Sequence, residues 1–152
     1  MSALSIREAQ AGDLEAIIRM HEEDELGSHG DVWSDETKPA YEAAFAAIQE
    51  SAENRLFVAL DNNEIVGTFQ LTFIPNLTGR GATRVKVESV KVRAARRSGG
   101  IGGQMIAFAE DYARTHGAAA MELTSNKTRK DAHRFYERLG FARSHEGFKK
   151  KL

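Results

Sequence analysis

The chain has 152 residues, is 41% hydrophobic and 28% charged, and carries a formal net charge of −1. That suits one domain, 1–152, with one core, and a near-zero charge argues against a general nucleic-acid binder. With no cysteine, disulfides, thiolate metal sites and a cysteine nucleophile are excluded. No apolar run nears the ~20 residues of a membrane span, and Met1–Gln10 lacks an apolar signal core, so the composition is compatible with a cytoplasmic protein.

In chain order, Leu4–Ala9 reads as a first strand. Asp13 is a good helix cap, with Glu15 in the first turn, and Leu14, Ile17, Ile18 and His21 then fall on one helical face. A polar segment, Glu22–Glu36, follows. It holds the acidic run Glu22-Glu23-Asp24-Glu25, then Gly27, His29, Gly30, Asp31 and Trp33. Pro39 suits the first turn of a second helix, on which Tyr41, Ala44, Phe45 and Ile48 share a face. Leu56–Leu60 is a continuous apolar strand, and Asp61-Asn62-Asn63 a turn. A period of two then places Ile65, Gly67, Phe69, Leu71 and Phe73 on one side of a strand. Pro75–Gly81 turns again. Arg84–Arg93 is a valine-rich strand, and Gly102–His116 a helix with the stripe Ile101, Met105, Phe108 and Tyr112. Ala118–Thr124 is another strand. Thr128-x-x-Asp131 has the form of a capping box. Ala132, Phe135, Tyr136 and Leu139 face one side of a last helix, stopped at Gly140. Phe141–His145 and Phe148–Leu152 are candidates for two closing strands.

Between the valine strand and the helix lies Arg97-Ser98-Gly99-Gly100-Ile101-Gly102-Gly103. Strand, glycine-rich turn, helix is an arrangement that holds phosphate. The first N–H groups of the helix point outward with partial positive charge, and glycines remove the Cβ atoms that would keep an anion away. Arg97 adds a fixed cation. Each glycine costs up to ~1 kcal/mol against alanine in a helix, so four in five positions is a poor start for stability alone. The plainer reading is a flexible turn. No Gly-Lys-Ser/Thr ending is present, and Gly100-Ile101-Gly102-Gly103-Gln104-Met105 puts methionine where the dinucleotide fingerprint needs its last glycine.

The pattern that fits is Arg97-x-x-Gly100-x-Gly102, which resembles the acyl-CoA pyrophosphate loop of the GNAT superfamily of N-acetyltransferases. Two further stretches carry the likeness. One is Val85-x-Val87-Glu88-Ser89-Val90-x-Val92, leading into the loop. The other is Leu123-Thr124-Ser125-Asn126 followed by Ala132-His133-Arg134-Phe135-Tyr136-Glu137-Arg138-Leu139-Gly140-Phe141. Asn126 through Tyr136, with the ending Ser144-His145-x-x-Phe148, looks most like the aminoalkylphosphonate N-acetyltransferases, although the N-terminal half matches less visibly. The resemblance implies an α/β (α+β) GNAT acyl-CoA N-acyltransferase fold, with a mixed, mostly antiparallel sheet flanked by about four helices. It implies acetyl-CoA as acyl donor and an amine as acceptor. By the same likeness the fourth and fifth strands splay. The pantetheine arm then pairs with backbone at Val90, Lys91 and Val92, and the pyrophosphate sits on Arg97, Ser98, Gly99, Gly100, Ile101, Gly102 and Gly103. Asn126 would contact the arm.

Glu88 by strand parity shares a face with Lys86, Val90 and Val92. It is either a surface carboxylate paired with Lys86, Arg84 or Lys91 or, at this place in the family pattern, the general base, acting through water. Tyr136 is either a core tyrosine or the proton donor to the departing sulfur. His133, Arg134 and Arg129 read as a solvated helix face, with Arg129 and Lys130 also candidates for the coenzyme's 3′-phosphate. His21 and His29 show no recognised metal-ligand spacing. The acidic run is either solvated or borders the acceptor site, where carboxylates attract a cationic amine. Lys149-Lys150-Lys151 reads as an exposed tail. With no cysteine and no serine set beside a base, direct attack of a small primary amine on the thioester is expected, an aminoalkylphosphonate being one candidate. The alternatives are a drug, polyamine or peptide N-terminal acetyltransferase, or a non-catalytic acyl-CoA-binding module. A homodimer is compatible with all of these.

Overall fold

The computed structural model describes residues 4–24 and 29–152. Glu25 and Gly27, of the polar segment, lie outside the described residues. One sheet runs β1 (Ser5–Glu8), β2 (Asn54–Asp61), β3 (Glu64–Ile74), β4 (Thr83–Val92), β5 (Ala118–Glu122) in that spatial order. The first four strands are antiparallel and β5 joins parallel to β4. The helices are α1 (Leu14–Glu22), α2 (Lys38–Glu50), the single turn α3 (Thr78–Gly81), α4 (Ile101–Thr115) and α5 (Lys130–Arg138). This is the mixed, mostly antiparallel architecture expected.

The chain's punctuation is local. Asn62 and Asn63 both take positive φ, 50° and 66°, which closes the two-residue β2–β3 hairpin. Gly117 (φ 82°) ends α4 and Gly140 (φ 94°) ends α5. Pro39 sits in the first turn of α2. Asp13 occupies the expected cap of α1 but makes no capping bond. Its carboxylate instead receives Arg7 Nη1 at 2.7 Å, Arg7 Nη2 at 3.1 Å and the Gln10 N–H at 2.7 Å. The Thr128–Asp131 capping box does not form either. Asn126 Oδ1 accepts both the Thr128 N–H (3.0 Å) and its hydroxyl (2.8 Å), so the hydroxyl is consumed before it can cap α5.

The sheet is covered on both faces. On one, α4 lays Ile101, Met105, Ile106, Ala109 and Ala113 against Phe57, Phe69, Leu71, Val85 and Val87, and α5 adds Phe135 and Tyr136. Phe57 stacks on Phe69 at 5.1 Å and meets Phe108 and Tyr112 edge-on at 5.4 and 5.1 Å, contacts worth about 0.5–1.5 kcal/mol each beyond burial. Gly67 lets α4 approach: a Cβ there would lie 2.6 Å from Met105 Sδ. On the other face Leu14 and Ile17 of α1 and Phe45 of α2 pack on Ala9 and Val58.

Two β-bulges correct the period-two reading. Ala59 pairs with Gly67 and Leu60 with Ile65, which leaves Val66 extra on β3. Val66 and Phe69 therefore share the α4 face while Ile65 packs under α1 and α2. The bulge is pinned by the Arg93 N–H on Val66 O at 2.9 Å and the Arg93 guanidinium on Ile65 O at 2.9 Å. On β4, Thr68 opposes Lys91 and Gln70 opposes Glu88, so Ser89 and Val90 together face the single Phe69. Ser89 has φ +54°.

The two closing strands do not form. Residues 141–152 are in no strand, and Phe148 and Leu152 are exposed. Phe141 is taken up by the end of α5, its N–H bonded to Tyr136 O at 3.1 Å. Three adjacent lysines repel one another, which opposes alignment on a strand edge.

Candidate active site

The β4–β5 pairing begins at Thr83–Ala118 and stops at Lys86–Glu122. Past that point residues 87–92 have no β5 partner, so one edge of β4 is unpaired just before the glycine loop. Val90, Lys91 and Val92 fall within this unpaired stretch.

A short 3-10 turn, Ala94–Arg96, leads to the loop. Ser98 and Gly100 take positive φ, 63° and 82°, and α4 starts at Ile101, one residue ahead of the expected Gly102. Ile101 is 2% exposed and anchors the turn. No side chain caps the helix start, which leaves its leading N–H groups available to an anion. A Cβ on Gly103 would meet nothing within 4 Å, whereas one on Gly102 would lie 3.1 Å from Phe135 Cζ. Gly103 leaves the approach bare, a Cβ on Gly99 would crowd Arg96 O at 3.3 Å, and Gly102 lets α5 pack against α4. Arg97 is exposed, with Nε on Val92 O at 3.3 Å. The residues present thus fit a pyrophosphate.

The Ser89–Val90 bulge decides what faces what. Val85, Val87, Val90 and Val92 all contribute to the α4 side, so Glu88 does not share a face with Val90 and Val92. It points to the α1–α2 side with Lys86, whose Nζ lies 3.2 Å from Glu88 Oε1. Both side chains are about a third to two-fifths exposed (33% and 43%). Their cross-strand neighbours are polar too. Gln70 opposes Glu88 and Thr72 opposes Lys86, and Gln70 and Thr72 donate to Asn54 Oδ1 at 3.2 and 2.7 Å.

Tyr136 lies on the opposite side, in the cluster that contains Val90 and Val92. Its ring is edge-on to Phe135 at 5.0 Å and Phe141 at 5.7 Å. Burial pushes its hydroxyl above the ordinary tyrosine value, with Arg129 opposing, so the group stays protonated through neutral pH. Among the described residues its hydroxyl makes no hydrogen bond. Asn126, exposed at the mouth of the β5–α5 connection, shapes that connection. Its side-chain oxygen turns the loop at Thr128, and its carbonyl oxygen lies 2.8 Å from His133 Nε2.

The described part of the acidic run is not solvated but engaged. Glu22 accepts the Trp33 N–H, and Glu23 accepts the Ala94 N–H at 2.8 Å. Asp24, 8% exposed, binds Lys91 and, at 2.6 Å, Arg129 Nη2. Arg129 is thus held by Asp24 through one guanidinium nitrogen. This ion trio ties the end of α1 to β4 and to the start of α5. Nothing local in the sequence marks the trio, because its three members are 67 and 105 residues apart. His21 packs beside it: burial first and the Lys91 charge second push its imidazole below the ordinary value, against Asp31 and Asp24. No group of residues able to hold a metal occurs among the described residues. One serine does stand beside a base, Ser144 Oγ at 2.7 Å from His145 Nδ1. The pair is exposed on the tail, with no third group orienting it.

A bulged strand, unpaired on one edge past Lys86, thus feeds a helix start with no side-chain cap, and comparison with known proteins gives the family. Residues 14–141 match the Acetyltransferase (GNAT) family. The chain belongs to that family and is an acetyltransferase. It is 36% identical over 113 residues to the aminoalkylphosphonate N-acetyltransferase of Salmonella typhimurium, covering 74% of this chain and 73% of that protein. Among solved structures, one from Bacillus halodurans C-125 described as a transcriptional regulator superposes with a TM-score of 0.93 at 41% identity, over 98% of this chain and 99% of that one. Glucosamine-6-phosphate N-acetyltransferase from Arabidopsis thaliana shares the fold, with a TM-score of 0.81 at 16% identity over 99% of each chain. No helix among the described residues is long and apolar enough to cross a membrane.

Proposed function

We propose that this acetyltransferase moves the acetyl group of acetyl-CoA to the primary amine of a small molecule by direct attack, and that an aminoalkylphosphonate is the first acceptor to test. The observation that carries this reading is the opening of β4 from β5 past Lys86, which leads directly into the uncapped start of α4. An extended pantetheine arm can lie along the free edge at Val90–Val92, and Asn126 closes over it from the far side. The pyrophosphate rests on the N–H groups of the Gly99–Gly103 turn, with Arg97 turning onto it.

The amine approaches from the α1–α2 side, where the polar side chains of β3 and β4 lie. Glu88 takes a proton from the ammonium, directly or through one water. The nitrogen lone pair then adds to the thioester carbonyl, the nitrogen gives up its second proton to solvent, the C–S bond breaks as the carbonyl re-forms, and the sulfur leaves with a proton from Tyr136, which solvent restores. The aminoalkylphosphonate acceptor is suggested by the Salmonella relative and by the motif likeness at Asn126–Tyr136.

The test is a panel of amines with thiol detection: aminoalkylphosphonates, spermidine, aminoglycosides and peptide N-termini. Amine-dependent CoA release is the expected result. CoA binding by calorimetry without turnover of any amine would refute catalysis and leave a binding module.

A further inference from the structure

The cations of β4 differ in how they are neutralised. Arg84 holds Glu122 at 3.0 Å and Asn76 Oδ1 at 2.8 Å. Lys91 holds Asp24. Neither Glu122, Asn76 nor Asp24 takes part in the reaction proposed above. Lys86 is otherwise placed. Among the described residues its partner is Glu88 and no other, at 3.2 Å.

When Glu88 takes the proton of an ammonium its carboxyl becomes neutral. Lys86, one third exposed, is then left without a counter-ion. An acceptor that brings its own anion supplies one, with its acid on Lys86 and its ammonium on Glu88. Residues i and i+2 of a strand point to the same side, about 6.6 Å apart along the chain. One small molecule can therefore lie across both heads, provided its acid and amine are close. The floor beneath is polar, formed by Thr72, Gln70 and Asn54, and suits a charged rather than an apolar body. A polyamine would bring further positive charge to Lys86.

We propose that Lys86 is the anion anchor of the acceptor site. The acceptor is then a zwitterionic amine whose carboxylate, sulfonate, phosphonate or phosphate lies two or three bonds from the reacting nitrogen. This rests on the reading of Glu88 as the group that receives the amine proton. Lys86 fixes which amines are used; Glu88 fixes whether any amine is used.

The experiment measures kcat/KM for 2-aminoethylphosphonate, β-alanine and taurine, each divided by kcat/KM for n-propylamine. The ratio cancels any effect of Lys86 that acts through Glu88 on all amines alike. Wild-type protein should prefer at least one acid-bearing amine, and the arm that wins identifies the acid. Lys86→Met should lower that ratio by about ten- to a hundredfold, the value of one charge-assisted contact. Lys86→Arg should restore part of it. Should Lys86→Met not fold, Lys86→Gln and the wild-type ratios carry the same test. A ratio unchanged by removing the charge, or no wild-type preference for acid-bearing amines, overturns the anchor. If n-propylamine is acetylated with a Glu88-dependent pH profile and the ratio still does not move, only the anchor falls. If wild-type protein turns over no amine, the acetyl-transfer reading fails and takes the anchor with it.

Discussion

Glu88→Gln is the sharpest test of the proposed chemistry. The attacking nitrogen must be neutral, yet an alkylamine with pKa near ~10.4 is almost wholly ammonium at pH 7, and reaching the free base costs roughly 4–5 kcal/mol there. A positioned carboxylate supplies typically ~100- to 10,000-fold through general-base help. Glu88 is 43% exposed at its side chain, so bulk water can reach the same proton and stand in for part of that help. The expected loss in turnover at pH 7 is therefore about 10- to 1000-fold. Glutamine keeps the volume and retains an oxygen to accept from Lys86, so the strand and its bulge should survive. The assay is a pH series of CoA release, with coenzyme binding followed separately by calorimetry. The deficit should shrink as pH rises toward the amine's pKa, because free amine then arrives ready to attack. Coenzyme affinity should not change, since Glu88 faces away from Val90 and Val92. A deficit flat with pH, or a loss confined to coenzyme binding, would refute the base assignment.

Other expectations follow from single contacts. Arg97 is exposed and bonded only to the Val92 carbonyl among the described residues, so Arg97→Ala should spare folding yet weaken CoA about ten- to a hundredfold. Calorimetry should show no such loss for a pantetheine fragment without phosphates, and equal losses would move Arg97 off the pyrophosphate. Tyr136→Phe should slow turnover below the thiol's pKa of ~8.5, where sulfur needs its proton, and lose its effect above it; an equal rate at every pH would leave Tyr136 a core residue. Burial would raise the Asp13 carboxyl, but the Arg7 bonds and the Gln10 N–H outweigh it and hold the group below its ordinary value. Its stabilisation is then complete above the unfolded value of ~3.9 and is lost as pH falls through the folded one. Asp13→Asn should cost about 1.5–3 kcal/mol in urea melts at pH 7, and the gap to wild type should narrow in acid.

The fold was legible where one local rule decided the outcome. Asn62-Asn63 could close only a tight hairpin, and Gly117 and Gly140 could only end helices, because few other residues take positive φ at low cost. The α4 stripe followed from helical spacing alone. The rules failed where two partners compete for one group. Thr128 has the residue type and spacing of a cap, but Asn126 reaches its hydroxyl first. Asp13 likewise gives its carboxylate to Arg7, six residues earlier, rather than to its own helix. At the tail, Phe141–His145 and Phe148–Leu152 were candidates for strands, but a strand is a property of a pair, and no pairing partner is visible in the tail's own sequence.

The arrangement of the candidate site residues was not legible in the sequence, and the bulges account for that. Parity along Arg84–Arg93 puts Glu88 beside Val90 and Val92, on the side of Tyr136. One extra residue at Ser89 reverses everything after it. That reversal lets a single strand present its valines to the α4 side along its whole length while Lys86, Glu88 and Lys91 all face α1 and α2. Without the bulge Lys91 would turn toward the apolar cluster, and Asp24 would lose the partner that fixes α1 to β4. The turning of Lys91 to Asp24 and of Val90 and Val92 to the α4 side thus depends on a bulge that begins at Ser89, φ +54°, whose identity as serine gives no warning of it.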